Sequence, residues 1–318
     1  MFLFICVKSF KIFCETTKNT FSISVFIKMY VIAGSASKAV AEDLSNIFKV
    51  PLVNTISKRF PDDEYYFRLE EDVSGKNVLL VQTTFPDKNI VELLLMQDAA
   101  REANAGKIIV VIPYFGYSRQ DKKFGPGEPI SARAVAEHVS LHADLVITVD
   151  PHKEHLLDFF KVPAYSCSAV TEIAEYLKTK GIDFVLAPDK GAIDRAKKAS
   201  KIINCEYDYL EKTRIDGTTV KLQPKNLDTH NKNVAIIDDI ISTGGTMAQS
   251  IKELKNQGAR NVLVACTHGL FVGDAKEKLI SAGCDEIIST DTIENEFSKV
   301  KAAECISNVL LKKTKNFQ

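Results

Sequence analysis

From Met29 onward, short apolar runs rich in β-branched residues alternate with stretches of about ten to fifteen residues that follow a helical period. Tyr30-Val31-Ile32-Ala33 opens the pattern, and further runs at residues 78–81, 108–112, 145–149, 184–187, 234–237 and 262–266 predict strands. Helices are expected near residues 91–104, 131–141, 170–180, 191–202, 246–257 and 274–281. Such alternation is the signature of an α/β fold, a mostly parallel sheet flanked by helices.

One unit is written twice. Lys76-Asn77-Val78 begins a strand, followed by a loop, a helix and Gly106 ahead of a second strand; Lys232-Asn233-Val234 begins the same series, with Gly258 in the matching place. At 318 residues the chain also exceeds the size at which one core stops growing. Two tandem domains are therefore expected, residues 29–168 and 169–297, with residues 298–318 as a C-terminal helix that packs back on the first domain. Residues 1–28 stand apart: they are apolar, with Lys8, Lys11, Lys18 and Lys28 against a single acidic Glu15 and no small-residue cleavage site. They read as a misassigned start or disordered extension before translation at Met29, with a targeting peptide as the other reading.

The copies diverge in the loop after their first strand. The first reads Gln82-Thr83-Thr84-Phe85-Pro86-Asp87, whereas the second reads Asp238-Asp239-Ile240-Ile241-Ser242-Thr243-Gly244-Gly245-Thr246. Open α/β sheets bind ligands at the carboxyl ends of their strands, where Asp238 and Asp239 fall. Glycines admit close backbone approach, and a helix N-terminus adds unpaired N–H groups and favourable partial charge for a phosphate. Two adjacent carboxylates repel phosphate but accept from vicinal hydroxyls, so the loop fits a phosphorylated sugar. Read blandly, it is an Asx-rich turn with a threonine helix cap.

Charge and cysteine content narrow the partners. With 41 basic and 41 acidic residues the chain offers no general attraction to nucleic acid or to an anionic membrane. No apolar run is long enough to span a bilayer. Seven cysteines lack C-x-x-C spacing, which argues against a zinc site or a disulfide framework and favours a cytoplasmic setting.

The loop around Asp238 resembles the phosphoribosyl pyrophosphate loop shared by phosphoribosyltransferases and ribose-phosphate pyrophosphokinases. Pro113-Tyr114-Phe115-Gly116-Tyr117-Ser118-Arg119-Gln120-Asp121-Lys122-Lys123 separates the two, because it resembles the ATP-binding signature of the pyrophosphokinases. Phe60-Pro61-Asp62-Asp63-Glu64, Thr148-Val149-Asp150-Pro151-His152, Ala187-Pro188-Asp189-Lys190-Gly191 and Lys212-Thr213-Arg214 extend the match in family order, closest to the archaeal branch. No Walker-type G-x-x-x-x-G-K-[ST] occurs. The chain departs from the family at Ser242, Pro151, Ala192 and Thr213, none of which removes a functional group named here.

The resemblance implies two phosphoribosyltransferase-like domains and the transfer of pyrophosphate from ATP to ribose 5-phosphate. It implies ATP contacts from Asp62, Asp63, Glu64, Arg119 and Gln120, at an interface between subunits of a homo-oligomer. Ribose 5-phosphate would lie against Arg214, Asp238, Asp239, Ser242, Thr243, Gly244, Gly245 and Thr246, and His152 and Asp189 would sit nearest Mg2+. Lys212 and Arg214 would fold over the transferring phosphates from an exposed hairpin. The other readings are a noncatalytic regulatory homologue, which should lack part of this set, and a phosphoribosyltransferase, which should lack the arginine loop.

Overall fold

The computed structural model describes residues 29–214, 220–224 and 228–314, with side chains described except at 211–214 and 220–224. The expectation about residues 1–28 lies outside the described residues. Two sheets carry the chain. The first has five parallel strands in the order β1-β4-β5-β6-β7: β1 (Met29–Ala33), β4 (Asn77–Val81), β5 (Ile108–Ile112), β6 (Leu145–Val149) and β7 (Ala164–Cys167). β5 and β6 are buried at every position, as a central parallel strand covered on both faces must be. Helices α1 (Lys38–Phe48), α2 (Lys88–Glu102) and α3 (Ser131–Val139) belong to this half. β2 (Thr55–Arg59) and β3 (Tyr65–Leu69) form a separate antiparallel hairpin.

The second sheet runs β10-β9-β8-β11-β12-β13-β14 and is parallel apart from the β9–β10 hairpin. Its strands are β8 (Phe184–Ala187), β9 (Glu206–Arg214), β10 (Val220–Pro224), β11 (Asn233–Ile241), β12 (Asn261–Gly269), β13 (Glu286–Thr290) and β14 (Ser298–Val300). With it go α4 (Val170–Lys178), α5 (Ile193–Ile203), α6 (Gly245–Asn256) and α7 (Ala275–Ser281).

The chain passes between the halves twice, and each crossing is held by an aspartate at a strand end. Asp150 Oδ2 accepts the Ala169 N–H at 3.0 Å just before α4, whose Val170, Ile173, Ala174 and Leu177 enter the second core. Asp291 Oδ1 accepts the Ala302 N–H at 2.8 Å just before α8 (Ala303–Lys313), whose Ala303, Cys305, Ile306 and Leu310 enter the first core beside Val31, Leu79 and Ile109. The segment expected as one helix over 298–318 needs correcting. Its first residues are strand β14, because the Phe297 and Val300 carbonyls accept from the Ser289 and Asp291 N–H groups at 2.8 and 3.0 Å, so the stretch stays with the second sheet and the helix starts at Ala303.

Candidate active site

β11 fixes the site's position. Val234, Ala235, Ile236 and Ile237 are fully buried between β8 and β12, and the strand runs on to Ile241, which carries Asp238 and Asp239 to the carboxyl end of the sheet. The chain then turns into α6 through Gly244, whose φ of 70° is left-handed, and a Cβ there would stand 3.3 Å from the Ala275 carbonyl oxygen. Only glycine fits without strain. No side chain caps α6, so its first N–H groups open into a cleft, a ready anion site.

That cleft holds about 490 Å3 and is lined by the loop from Asp238 to Met247, by Asp189 and Arg195, and from the first half by Arg119 and His152. His152 Nδ1 lies 2.8 Å from Asp239 Oδ2, a hydrogen bond that joins the two halves across the cleft. Asp239 Oδ1 accepts the Ile240 N–H at 3.0 Å, so both of its oxygens have partners inside the protein. Asp238 Oδ1 accepts the Asp239 N–H at 2.9 Å, and the two carboxyl groups also meet side chain to side chain at the cleft. Arg195, near the start of α5, places Nη1 3.9 Å from Asp238 and 4.0 Å from Asp239, and its Nε is buried without a partner.

Electrostatics divide the acidic pair. Burial, reinforced by the charge of Asp239, pushes the Asp238 carboxyl well above the usual carboxylate range. Burial acts on Asp239 too, but the hydrogen bond to His152 and the Arg195 guanidinium outweigh it and hold that carboxyl far below its ordinary value. Asp239 is thus the fixed negative charge of the pair, and Asp238 is the more readily protonated member.

Residues 29–141 match a family model for the N-terminal domain of ribose phosphate pyrophosphokinase, and residues 167–303 match the phosphoribosyl transferase domain. The ribose-phosphate pyrophosphokinase of Pyrococcus furiosus is 42% identical over 283 residues, covering 88% of this chain and 100% of that protein. That of Methanopyrus kandleri is 40% identical over 286 residues, covering 89% and 98%. The chain belongs to the ribose-phosphate pyrophosphokinase family. Phosphoribosylpyrophosphate synthetase from Mycobacterium smegmatis matches in structure with a TM-score of 0.79 at 27% identity, over 92% of this chain and 100% of that one.

In this member of the family, the cleft gathers Arg119, His152, Asp189, Asp238, Asp239, Ser242, Thr243, Gly244, Gly245 and Thr246. Gln120 turns away: its Oε1 accepts the Ser131 hydroxyl at 2.5 Å, and with Tyr114, Tyr117, Arg119 and Phe124 it lines a separate hollow. Asp62, Asp63 and Glu64 form the exposed tip of the β2–β3 hairpin, where Asp63 adopts a φ of 67° and pairs with Arg59 at 3.1 Å. Lys212 and Arg214 lie in β9, opposite Leu222 and Val220 of β10; their side chains lie outside the described residues. Arg195 was missed in the sequence because a basic residue in the first turn of a helix looks like an ordinary surface charge.

Among the described residues, no group of three or more His, Cys, Asp or Glu side chains converges as a metal cluster, and no helix is long and apolar enough to cross a membrane. Asp189 Oδ1 is held by the Gly191 N–H at 2.7 Å, which fixes its carboxylate at the cleft. His152, with Nδ1 committed to Asp239, has only Nε2 left to offer.

Proposed function

We propose that the cleft is where this chain transfers the β,γ-pyrophosphate of ATP to the 1-hydroxyl of D-ribose 5-phosphate, giving 5-phosphoribosyl 1-diphosphate and AMP. The observation that carries this reading is the convergence, in one cleft, of Arg119 and His152 from the first half with the glycine loop and acidic pair of the second. Residues 29–168 form the ATP side and residues 169–297 the sugar side. The sugar phosphate seats on the N-terminus of α6 and the hydroxyls of Thr243 and Thr246, and Asp238 accepts from a ribose hydroxyl. The anomeric oxygen then attacks the β-phosphorus and gives its proton to solvent, as the bond from that phosphorus to the oxygen bridging it to the α-phosphorus breaks and AMP leaves with that oxygen. Transfer of this kind depends mainly on placement and on neutralising charge.

The donor set fits Mg2+, which keeps most of its waters and needs only one or two carboxylates beside substrate phosphates. Asp189 would hold it directly, and His152 through Nε2 or a bound water, its ring oriented by the Asp239 carboxylate. When bound, Mg2+ supplies positive charge to the ATP phosphates. Arg119 adds to that charge, and Lys212 and Arg214 close over the phosphates to exclude water. Asp62, Asp63 and Glu64 reach the ATP of a neighbouring copy in a homo-oligomer working in the cytoplasm, and Gln120 shapes the nucleotide's seat.

The decisive assay incubates purified protein with Mg2+, ATP and ribose 5-phosphate and follows AMP. AMP formed only when the sugar is present supports the reading. No AMP under varied metal and phosphate defeats it and favours a noncatalytic homologue.

A further inference from the structure

His268 is 1% exposed and lies in β12 as the register partner of Ile240 in the strand that carries the acidic pair. Its ring reaches out of the second sheet into the first half. Nε2 stands 3.1 Å from the Val149 carbonyl and 3.2 Å from that of Asp150, the residues that lead into Pro151 and His152. Carbonyls only accept, so Nε2 carries a proton. Nδ1 faces the Thr292 hydroxyl, 2.9 Å away, and burial disfavours the charged imidazolium and pushes the His268 pKa down. Both ring nitrogens are thereby committed.

The ring also packs on Tyr114 at 4.7 Å between centroids, five residues before Arg119 in the same loop. Next door, the Thr267 hydroxyl donates to Asp150 Oδ2 at 2.7 Å, and Asp150 is held at a φ of 35°, a strained conformation for a residue with a Cβ. One side chain of the sugar half thus touches both loops that carry the nucleotide half's charged groups. A plain core histidine would need none of these contacts to fall on functional loops.

We propose that His268 is a positioning residue for the transfer reaction, fixing the His152 turn and the Arg119 loop at reacting distance from the ribose 5-phosphate cradle. The proposal rests on the function assigned above. What the ring sets is the mutual register of the two halves, and a misplacement of about 1 Å is enough to cost on the order of a hundredfold in rate.

The test compares His268→Phe, which keeps a ring but loses both nitrogens, with His268→Gln, whose amide N–H can still reach the two carbonyls. Steady-state AMP formation, the KM for each substrate and Tm are measured beside the unsubstituted chain. Expected for His268→Phe is a kcat lower by about 10- to 100-fold with each KM changed less than about threefold, and His268→Gln recovering most of the loss. Full kcat in His268→Phe overturns the proposal. So does a loss of activity that follows the loss of folded protein, with His268→Gln no better than His268→Phe. No AMP from the unsubstituted chain is a separate failure: it removes the assigned function, and the positioning role falls with it.

Discussion

The two copies of the repeated unit use the same place on the same scaffold in opposite ways. After β4, the first copy spends its polar side chains on partners inside the protein. Glu92, 2% exposed, accepts from the Ser35 N–H at 2.7 Å, the Ser35 hydroxyl at 2.5 Å and Gln82 Nε2 at 2.8 Å. Thr83 donates to the Thr292 carbonyl at 2.7 Å, and Thr84 Oγ1 accepts the Gly116 N–H at 2.8 Å. After β11, the second copy places glycine where a left-handed φ is needed and holds two carboxylates beside the opening; α2 and α6 both start without a side-chain cap, but only the α6 start lines the cleft. A strand end becomes a site where the protein declines to satisfy its own polar groups, and the sister loop shows what satisfying them looks like.

The widest break in this comparison should come where the open loop meets the other half. His152→Ala removes the partner of Asp239 and the imidazole at the cleft, and kcat for AMP formation should fall on the order of 10²–10³-fold, as when a group aimed at transition-state charge is deleted. An unchanged kcat would show that the open loop works without the first half's turn. A smaller effect should follow from closing the loop itself. Gly244→Ala must hold a Cβ at a φ of 70° against the Ala275 carbonyl, a strain of about 1–2 kcal/mol. That corresponds to a rise of about five- to thirtyfold in the KM for ribose 5-phosphate, with the KM for ATP unmoved. Equal changes in both constants would mean that the loop does not belong to the sugar alone.

The sequence made the scaffold legible because continuous apolar runs such as Ile108–Ile112 and Leu145–Val149 have few alternatives to a buried parallel strand. The β2–β3 hairpin escaped notice because Thr55–Arg59 is mostly polar and half-buried to exposed, so it carries no apolar run. β14 is three residues long, too short for any periodicity to set it apart from the helix that follows it. Motif order singles out the glycine loop, Arg119, His152 and Asp189, and the fold brings these to one cleft. The pairing of His152 with Asp239, 87 residues away, and the reach of His268 to Asp150, 118 residues away, were hidden because local pattern carries no record of which distant group a polar side chain will meet.

The smallest effect tests where the copies should still be alike. In the first, Asp144 accepts the Ile108 N–H at 2.9 Å and Lys107 Nζ at 2.7 Å, and its own N–H reaches the Ile108 carbonyl at 2.7 Å. In the second, Asp285 accepts the Val262 N–H at 2.7 Å and Lys255 Nζ at 2.6 Å, and its own N–H reaches the Val262 carbonyl at 2.9 Å. Both clamps sit at the end of the sheet opposite the cleft. Asp144→Asn and Asp285→Asn keep an acceptor for the strand N–H and lose an exposed ion pair, so each should cost about 0.5–1 kcal/mol in urea unfolding, equally and without change in AMP formation. Because the two clamps lie in different halves, the double variant should cost the sum. Unequal losses would mean that the copies have diverged in their frame as well as in their loops, and that the closed first loop is more than a site left unused.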